Sequence, residues 1–284
     1  MRHRCWRSVL FVPGDRPDRV AKAVLRGADV VAIDLEDAVA PPAKEAAREL
    51  TLEYLRTVRP ARTTVRVNSW DSGELERDIE RLAEVLPAVD AVFLPKVAEA
   101  ADVARLVSLL DQAGGDGVPG VVPIIETAVG VFEARAIASA SPRVVTMLFG
   151  VADLSADLDV EPTAEGRELA FARAQVVLAA AAAELAAPID GPYLVLGEED
   201  ELARSAAAAR ELGYGGKAVI HPGQIKAVHA AFAPRPAEIA WAEKVVAVAE
   251  DGGAARLDDG SFVDQPVVRR ARRILATAQE DGAL

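Results

Sequence analysis

Two acidic residues, Glu126 and Asp153, each follow a short apolar, β-branched run, in the contexts VVPIIETAVG and MLFGVADLSADL. A barrel or open-sheet strand delivers its last residue to the face where active sites form, and two carboxylates there suit a hard metal ion. The same positions also suit helix N-caps and first-turn acids, common where a strand hands over to a helix. The ends of the other apolar runs carry Pro13 and Gly14, Glu36 and Asp37, Arg66 and Asn68, Lys96, Gly150, Asp190 and His221. One histidine among them excludes a His-rich zinc site. Carboxylates with room for water suit Mg2+ or Mn2+ instead.

Arg66 beside an ion bound by Glu126 and Asp153 would make a site for a small α-keto or hydroxy acid. The ion would polarise the acid's oxygens and Arg66 would offset growing negative charge, which stabilises an enolate. Each residue has a plainer use as well. Arg66 could be a buried ion-pair partner of Glu36 or Asp37, Lys96 could pair with neighbouring acids, and His221 could be a core histidine bonded to a backbone carbonyl. His3 and His229, at a terminus and on a helix, are assigned nothing. Trp6, Trp70 and Trp241 read as packing or interface residues.

The elements that must position these residues alternate along the chain. Apolar runs at 9–13, 30–35, 63–68, 91–96, 121–126, 144–150, 188–194 and 217–222 read as strands. Helical patterns cover 17–26, 41–57, 71–86, 98–112, 129–139, 163–184 and 198–212, with helical material continuing to 250. The strands lack polar alternation, as a sheet covered on both faces requires. Eight such repeats predict a (β/α)8 TIM barrel over 1–250, and no G-x-G-x-x-G follows the first strand to support a dinucleotide-binding sheet. The extension 251–284 opens with Gly252 and Gly253, passes through DGSFVD, with the turn chemistry of a hairpin, and ends in a helix bearing Arg269, Arg270, Arg272 and Arg273. It serves either as a cover for a barrel mouth, its own or a neighbouring subunit's, or as a helix docked on the outer ring.

The chain has 284 residues and a formal net charge of -12, which argues against a nucleic-acid or anionic-membrane partner. A single cysteine, Cys5, allows no intramolecular disulfide and no thiolate metal cluster, and reads as a buried or incidental thiol. The apolar part of MRHRCWRSVLFVPG is too short for a signal peptide, and no run approaches a membrane span. The expected location is cytoplasmic.

The segments RSVLFVPGDRPDRVAKA, AIDLEDAVAPPAKEAAR, VRVN, FLPKV, PIIETAVGV, LFGVADLSADL, EGRELAFARAQVVLAA, GKAVIHPGQI and SFVDQPVVRRARRIL occur in this order along nearly the whole chain. Together they resemble the citrate lyase beta-subunit family, the CitE-like branch of the HpcH/HpaI aldolase superfamily. The resemblance implies a (β/α)8 homo-oligomer, a trimer or dimer of trimers. It also implies a Mg2+-dependent lyase that cleaves or forms 3-hydroxyacyl thioesters such as malyl-, citramalyl- or citryl-CoA, giving a 2-oxo acid and an acyl-CoA. By the same resemblance Glu126 and Asp153 are metal ligands, and Arg66 grips the oxo acid. The backbone N–H groups of Gly150 and Val151 bind its carboxylate, and Glu36 and Asp37 lie near metal-bound water. Pro13, Gly14, Lys96, Lys217 and His221 line the approach of the CoA thioester. Asp264 is the tail aspartate that acts as acid/base over a neighbouring subunit's site.

A thioesterase output is admissible too. Two alternatives stay open: the beta subunit of a multi-subunit citrate lyase, working with acyl carrier and alpha subunits on a carrier-protein thioester, and a non-catalytic metal-binding barrel with a regulatory or scaffold role. The chain departs from the family where Asp159 replaces a common glycine, and Asp159 and Glu161 add negative charge near the mouth that slightly disfavours a tricarboxylate substrate if they point inward.

Overall fold

The computed structural model describes residues 6–58, 62–114, 117–163, 165–250, 255–257 and 260–280. His3, Cys5, Gly252 and Gly253 lie outside the described residues.

Eight parallel strands close into a barrel in chain order: β1 (Ser8–Pro13), β2 (Val30–Asp34), β3 (Thr63–Arg66), β4 (Ala91–Leu94), β5 (Gly120–Ile125), β6 (Leu148–Phe149), β7 (Ile189–Asp190) and β8 (Gly216–Val219). The helices that follow them are α1 (Pro17–Val24), α2 (Lys44–Thr57), α3 (Leu75–Leu82), α4 (Ala100–Gly114), α5 (Ala128–Ala138), α6 (Val151–Asp157), α7 (Ala170–Ala182), α8 (Glu199–Leu212) and α9 (Ile225–Phe232). Because helices cover the sheet, β2, β4 and β8 are buried at every position. Val9, Val30, Ala32, Phe93, Val122, Ile124, Leu148, Ile189 and Ala218 fill one core cluster. The (β/α)8 architecture read from the sequence is the one observed.

Most strands stop short of the apolar runs, β6 and β7 most of all, at two residues each. Between the bridge Val121–Val144 and β6, the Thr146 hydroxyl turns to the carbonyls of Ala186 and Ala187, at 3.3 and 3.0 Å. After β7, Pro192 has no N–H to continue a ladder. The helix expected over 163–184 is α7 alone, preceded by a 3₁₀ turn at Arg167–Leu169. The separate seven-residue α6 was not legible in the sequence.

The chain divides into two compact units, Met1–Ala231 and Phe232–Leu284. In the second, α10 (Pro236–Glu250) packs on α11 (Gln265–Glu280), and β9 (Ala255–Arg256) pairs antiparallel with β10 (Phe262–Val263). The hairpin and final helix expected of the extension are present, with α10 part of the same unit. Ala242, Val245, Val263, Val268 and Ala271 form its core, and the Arg270 guanidinium lies 5.1 Å from the Trp241 ring centroid. No helix among the described residues is long and apolar enough to cross a membrane.

Candidate active site

The site begins with a pairing between adjacent strands. Asp34 and Arg66 are the last residues of β2 and β3 and lie opposite each other in register. Arg66 Nε donates to Asp34 Oδ1 at 2.7 Å and Nη2 to Oδ2 at 2.5 Å, the bidentate fit of a guanidinium to a carboxylate. Arg66 Nη1 reaches Glu36 Oε2 at 3.0 Å, and the Phe11 ring centroid lies 5.1 Å from the guanidinium carbon. Burial works against the Arg66 charge, but Asp34 and Glu36 more than offset it and hold the group protonated. Of the two partners expected for Arg66, the structure supplies Glu36. Asp34 takes the place of Asp37, which is exposed.

Lys96 follows β4 with a left-handed backbone, φ 54°. That turn aims its N–H at Glu126 Oε1, 2.7 Å away, while its ammonium lies 2.9 Å from Glu36, 3.5 Å from Asp37 and 4.0 Å from Asp153. Burial alone would lower the Lys96 pKa, and these acids, Glu36 first, raise it above its usual value. Glu126, just after β5, is 3% exposed. Burial, reinforced by the charges of Asp153 and Glu36, pushes its carboxyl up to about 8. Asp153 stands in the first turn of α6. It is thus a first-turn acid and a neighbour of Glu126 at once.

A cavity of about 330 Å³ gathers Pro13, Arg66, Glu126, Gly150, Val151 and Asp153. Among the described residues no cluster of three or more His, Cys, Asp or Glu side chains is arranged to hold a metal. Two carboxylates still fit a Mg2+-type ion, which takes one or two carboxylates and fills its remaining positions with water and ligand oxygens. The Glu126 carboxylate, its pKa raised by burial and then by two neighbouring acids, is a group whose charge a cation would relieve.

Several residues expected to touch a ligand serve the fold. The Gly150 N–H donates to Ile125 O at 3.0 Å, so any carboxylate cradle begins at Val151, the first residue of α6, whose N–H has no acceptor within the helix. Lys217 is 1% exposed and its ammonium contacts Asp190 at 2.5 Å, where Arg173 Nε also donates at 2.9 Å. Burial alone would raise the Asp190 carboxyl, and these two cations bring it below its usual value. Lys217 is therefore committed to a buried ion pair with Asp190. Gly14 is buried, donates to Asp34 O at 2.8 Å, and has no room for a Cβ, which would meet Leu35 and Thr51 at 2.9 Å. It is a packing glycine. His221 is exposed, against the core-histidine reading, and its Nδ1 accepts the Gly223 N–H at 3.1 Å, capping the turn that opens α9. Asp264, in the second unit, caps α11 by accepting the Val267 N–H at 3.1 Å. Asp157 accepts the Ala128 N–H at 2.7 Å at the start of α5, a capping role. Asp159 adopts φ 52°, a left-handed backbone that favours glycine.

Sequence reasoning passed over Asp34 as a partner of Arg66, and it passed over Lys44. The Lys44 ammonium holds the carbonyls of Leu35 and Glu36, each at 2.7 Å, and Asn68 Oδ1 at 2.6 Å, bracing the loop that carries Glu36. The visible signal for Asp34 was its place at the end of a strand next to that of Arg66.

Acids and an arginine gathered at the carboxyl ends of a closed parallel barrel define a (β/α)8 barrel enzyme. The chain belongs to the HpcH/HpaI aldolase/citrate lyase family, whose pattern matches residues 7–222. It is 36% identical over 286 residues to citrate lyase subunit beta of Leuconostoc mesenteroides subsp. cremoris, covering 97% of this chain and 94% of that one. It is 34% identical over 280 residues to the (3S)-malyl-CoA thioesterase of Cereibacter sphaeroides, covering 96% and 95%. Among solved structures, CitE of Mycobacterium tuberculosis in complex with magnesium, acetoacetate and coenzyme A matches with a TM-score of 0.82 and 34% identity, over 97% of this chain and 98% of that one.

Proposed function

We propose that the protein is a Mg2+-dependent carbon–carbon lyase that cleaves or forms a 3-hydroxyacyl-CoA thioester of the malyl, citramalyl or citryl type, giving a 2-oxo acid and an acyl-CoA. The observation that carries this reading is the shared cavity of Glu126, Asp153 and Arg66, with the Glu126 carboxyl raised to about 8. The similarity to a CitE structure holding magnesium, acetoacetate and coenzyme A supports it.

Glu126 and Asp153 would hold the ion, which when bound supplies Lewis-acid polarisation of the oxo acid's oxygens. Arg66 offers its remaining N–H donors to the keto oxygen and carboxylate. The first N–H groups of α6, from Val151 onward, receive the carboxylate. Glu36 and Asp37 hold water at the mouth, and Pro13 and Lys96 border the path of the thioester. In the cleavage direction a base takes the 3-hydroxyl proton, the bond to the thioester α-carbon breaks, and that carbon is protonated. Asp264 of a neighbouring subunit is the group assigned to this proton transfer. The reading implies a homotrimer or a dimer of trimers and a cytoplasmic location.

The likeness to citrate lyase subunit beta favours a second reading, a beta subunit acting with alpha and acyl carrier subunits on a carrier-protein thioester. The likeness to a (3S)-malyl-CoA thioesterase favours hydrolysis as an added output. Calorimetry tests the site itself, with Mg2+ and then oxaloacetate or pyruvate titrated into wild-type and Glu126→Gln protein. Saturable, Mg2+-dependent oxo-acid binding lost in Glu126→Gln is expected. Equal binding by both proteins, or none by wild type, overturns the reading.

A further inference from the structure

Asp34 is fully buried beneath Arg66, and each of its carboxylate oxygens accepts two hydrogen bonds. Oδ1 takes one from Arg66 Nε at 2.7 Å and one from the Glu36 N–H at 2.8 Å. Oδ2 takes one from Arg66 Nη2 at 2.5 Å and one from the Ala38 N–H at 3.2 Å. One face of the carboxylate therefore holds the guanidinium, and the other shapes the loop that carries Glu36 and Asp37. Glu36 in turn closes the arrangement through Arg66 Nη1 and the Lys96 ammonium. Two of the five Arg66 N–H donors are taken by Asp34, and the three that remain lie on Nη1, which is in ion-pair contact with Glu36, and on Nη2.

A free arginine side chain loses rotamer entropy when it grips a ligand, and a free loop must be ordered as well. A buried carboxylate that fixes both in advance removes those costs at the moment of binding, because supporting hydrogen bonds set the geometry of the groups that meet the ligand. We propose that Asp34 is the positioning residue of this site, presetting Arg66 and the Glu36 loop together for a 2-oxo acid. It acts through Arg66 and touches no reacting atom. The inference rests on the oxo-acid reading of the cavity given above.

The test is a double-mutant cycle with Asp34→Asn, Arg66→Lys and the double variant, each measured for Mg2+ affinity, oxo-acid affinity, kcat and KM. Asn keeps the size of Asp34 and an acceptor for the loop while removing the charge and one acceptor for Arg66. In the wild-type background Asp34→Asn weakens oxo-acid binding and kcat/KM by about 10- to 100-fold and leaves Mg2+ affinity within about twofold. In the Arg66→Lys background the same change adds less than about threefold.

An equal loss in both backgrounds, no loss in either, or Mg2+ affinity falling in step with oxo-acid affinity overturns the proposal. Should Asp34→Asn fail to fold, Asp34→Glu decides the matter, since it keeps the charge but shifts it by one methylene. Selective loss of oxo-acid affinity in Asp34→Glu upholds the proposal, and wild-type affinity overturns it. A wild-type protein that binds Mg2+ but no oxo acid overturns the functional reading, and the positioning role with it.

Discussion

Gly150 and Glu126 occupy space that only one side chain can use. A Cβ on Gly150 would lie 2.4 Å from both Cβ and Oε2 of Glu126, and the Cβ contact cannot be relieved by rotating the carboxylate alone. Gly150→Ala therefore displaces Glu126 from the position it shares with Asp153. Mg2+ affinity, measured by calorimetry, falls at least about tenfold, and overpacking lowers unfolding stability by about 1–3 kcal/mol. Unchanged Mg2+ affinity would show that Glu126 is not a ligand.

Burial and two neighbouring acids hold the Glu126 carboxyl up to about 8, against a usual value near 4.5. Across that window the folded, metal-free protein binds more protons than the unfolded chain, so its stability falls as pH rises from the lower value through the upper one. A divalent ion takes the place of the proton and cancels that loss. Below pH 8, Mg2+ affinity drops by up to about tenfold per pH unit, and the Tm increase on adding Mg2+ grows between about pH 6 and pH 9. Thermal melts of wild-type and Glu126→Gln protein check this, and the variant shows no such pH-dependent increment.

Lys217 and Arg173 share the buried carboxylate of Asp190. Lys217→Met leaves Arg173 in place and costs about 2–3 kcal/mol in denaturant unfolding, below the ~3–5 kcal/mol of a buried pair broken outright. Asp190→Asn leaves the buried Lys217 and the partly buried Arg173 without their carboxylate and costs more. KM for a CoA thioester stays within about twofold in Lys217→Met, and a tenfold rise would restore Lys217 to the ligand path.

Asp264 caps α11. Asparagine caps a helix as well as aspartate, whereas alanine forfeits about 1 kcal/mol. Asp264→Asn therefore keeps its Tm, binds Mg2+ and oxo acid as wild type does, and loses about 10²- to 10⁴-fold in kcat. Loss of oxo-acid binding in step with turnover would contradict a role confined to proton transfer.

The barrel was legible because parallel strands covered on both faces leave uninterrupted apolar runs, and because Glu126 and Asp153 stand just beyond two of them. What escaped was whatever depends on the register between strands. Asp34 and Arg66, like Asp190 and Lys217, are cross-strand partners distant in the chain, and no spacing rule joins them. The short α6 escaped because its residue before the helix, Gly150, offers no side-chain cap, so VADLSAD carries little start signal. Backbone commitments escaped as well: nothing in the residue types shows that the Gly150 N–H is spent on Ile125, or that Gly14 is a glycine for packing.

The central claim is that Glu126, Asp153 and Arg66 form a Mg2+-dependent site for breaking a carbon–carbon bond. Its most direct test is the product analysis of purified protein incubated with malyl-, citramalyl- and citryl-CoA, with Mg2+ or with EDTA, for wild type and Glu126→Gln. The account predicts equimolar 2-oxo acid and acyl-CoA from at least one thioester, only with Mg2+, and at least about 10²-fold less from Glu126→Gln. Oxo acid released at the same rate in EDTA or by the variant, or no oxo acid from any of the three, would contradict it.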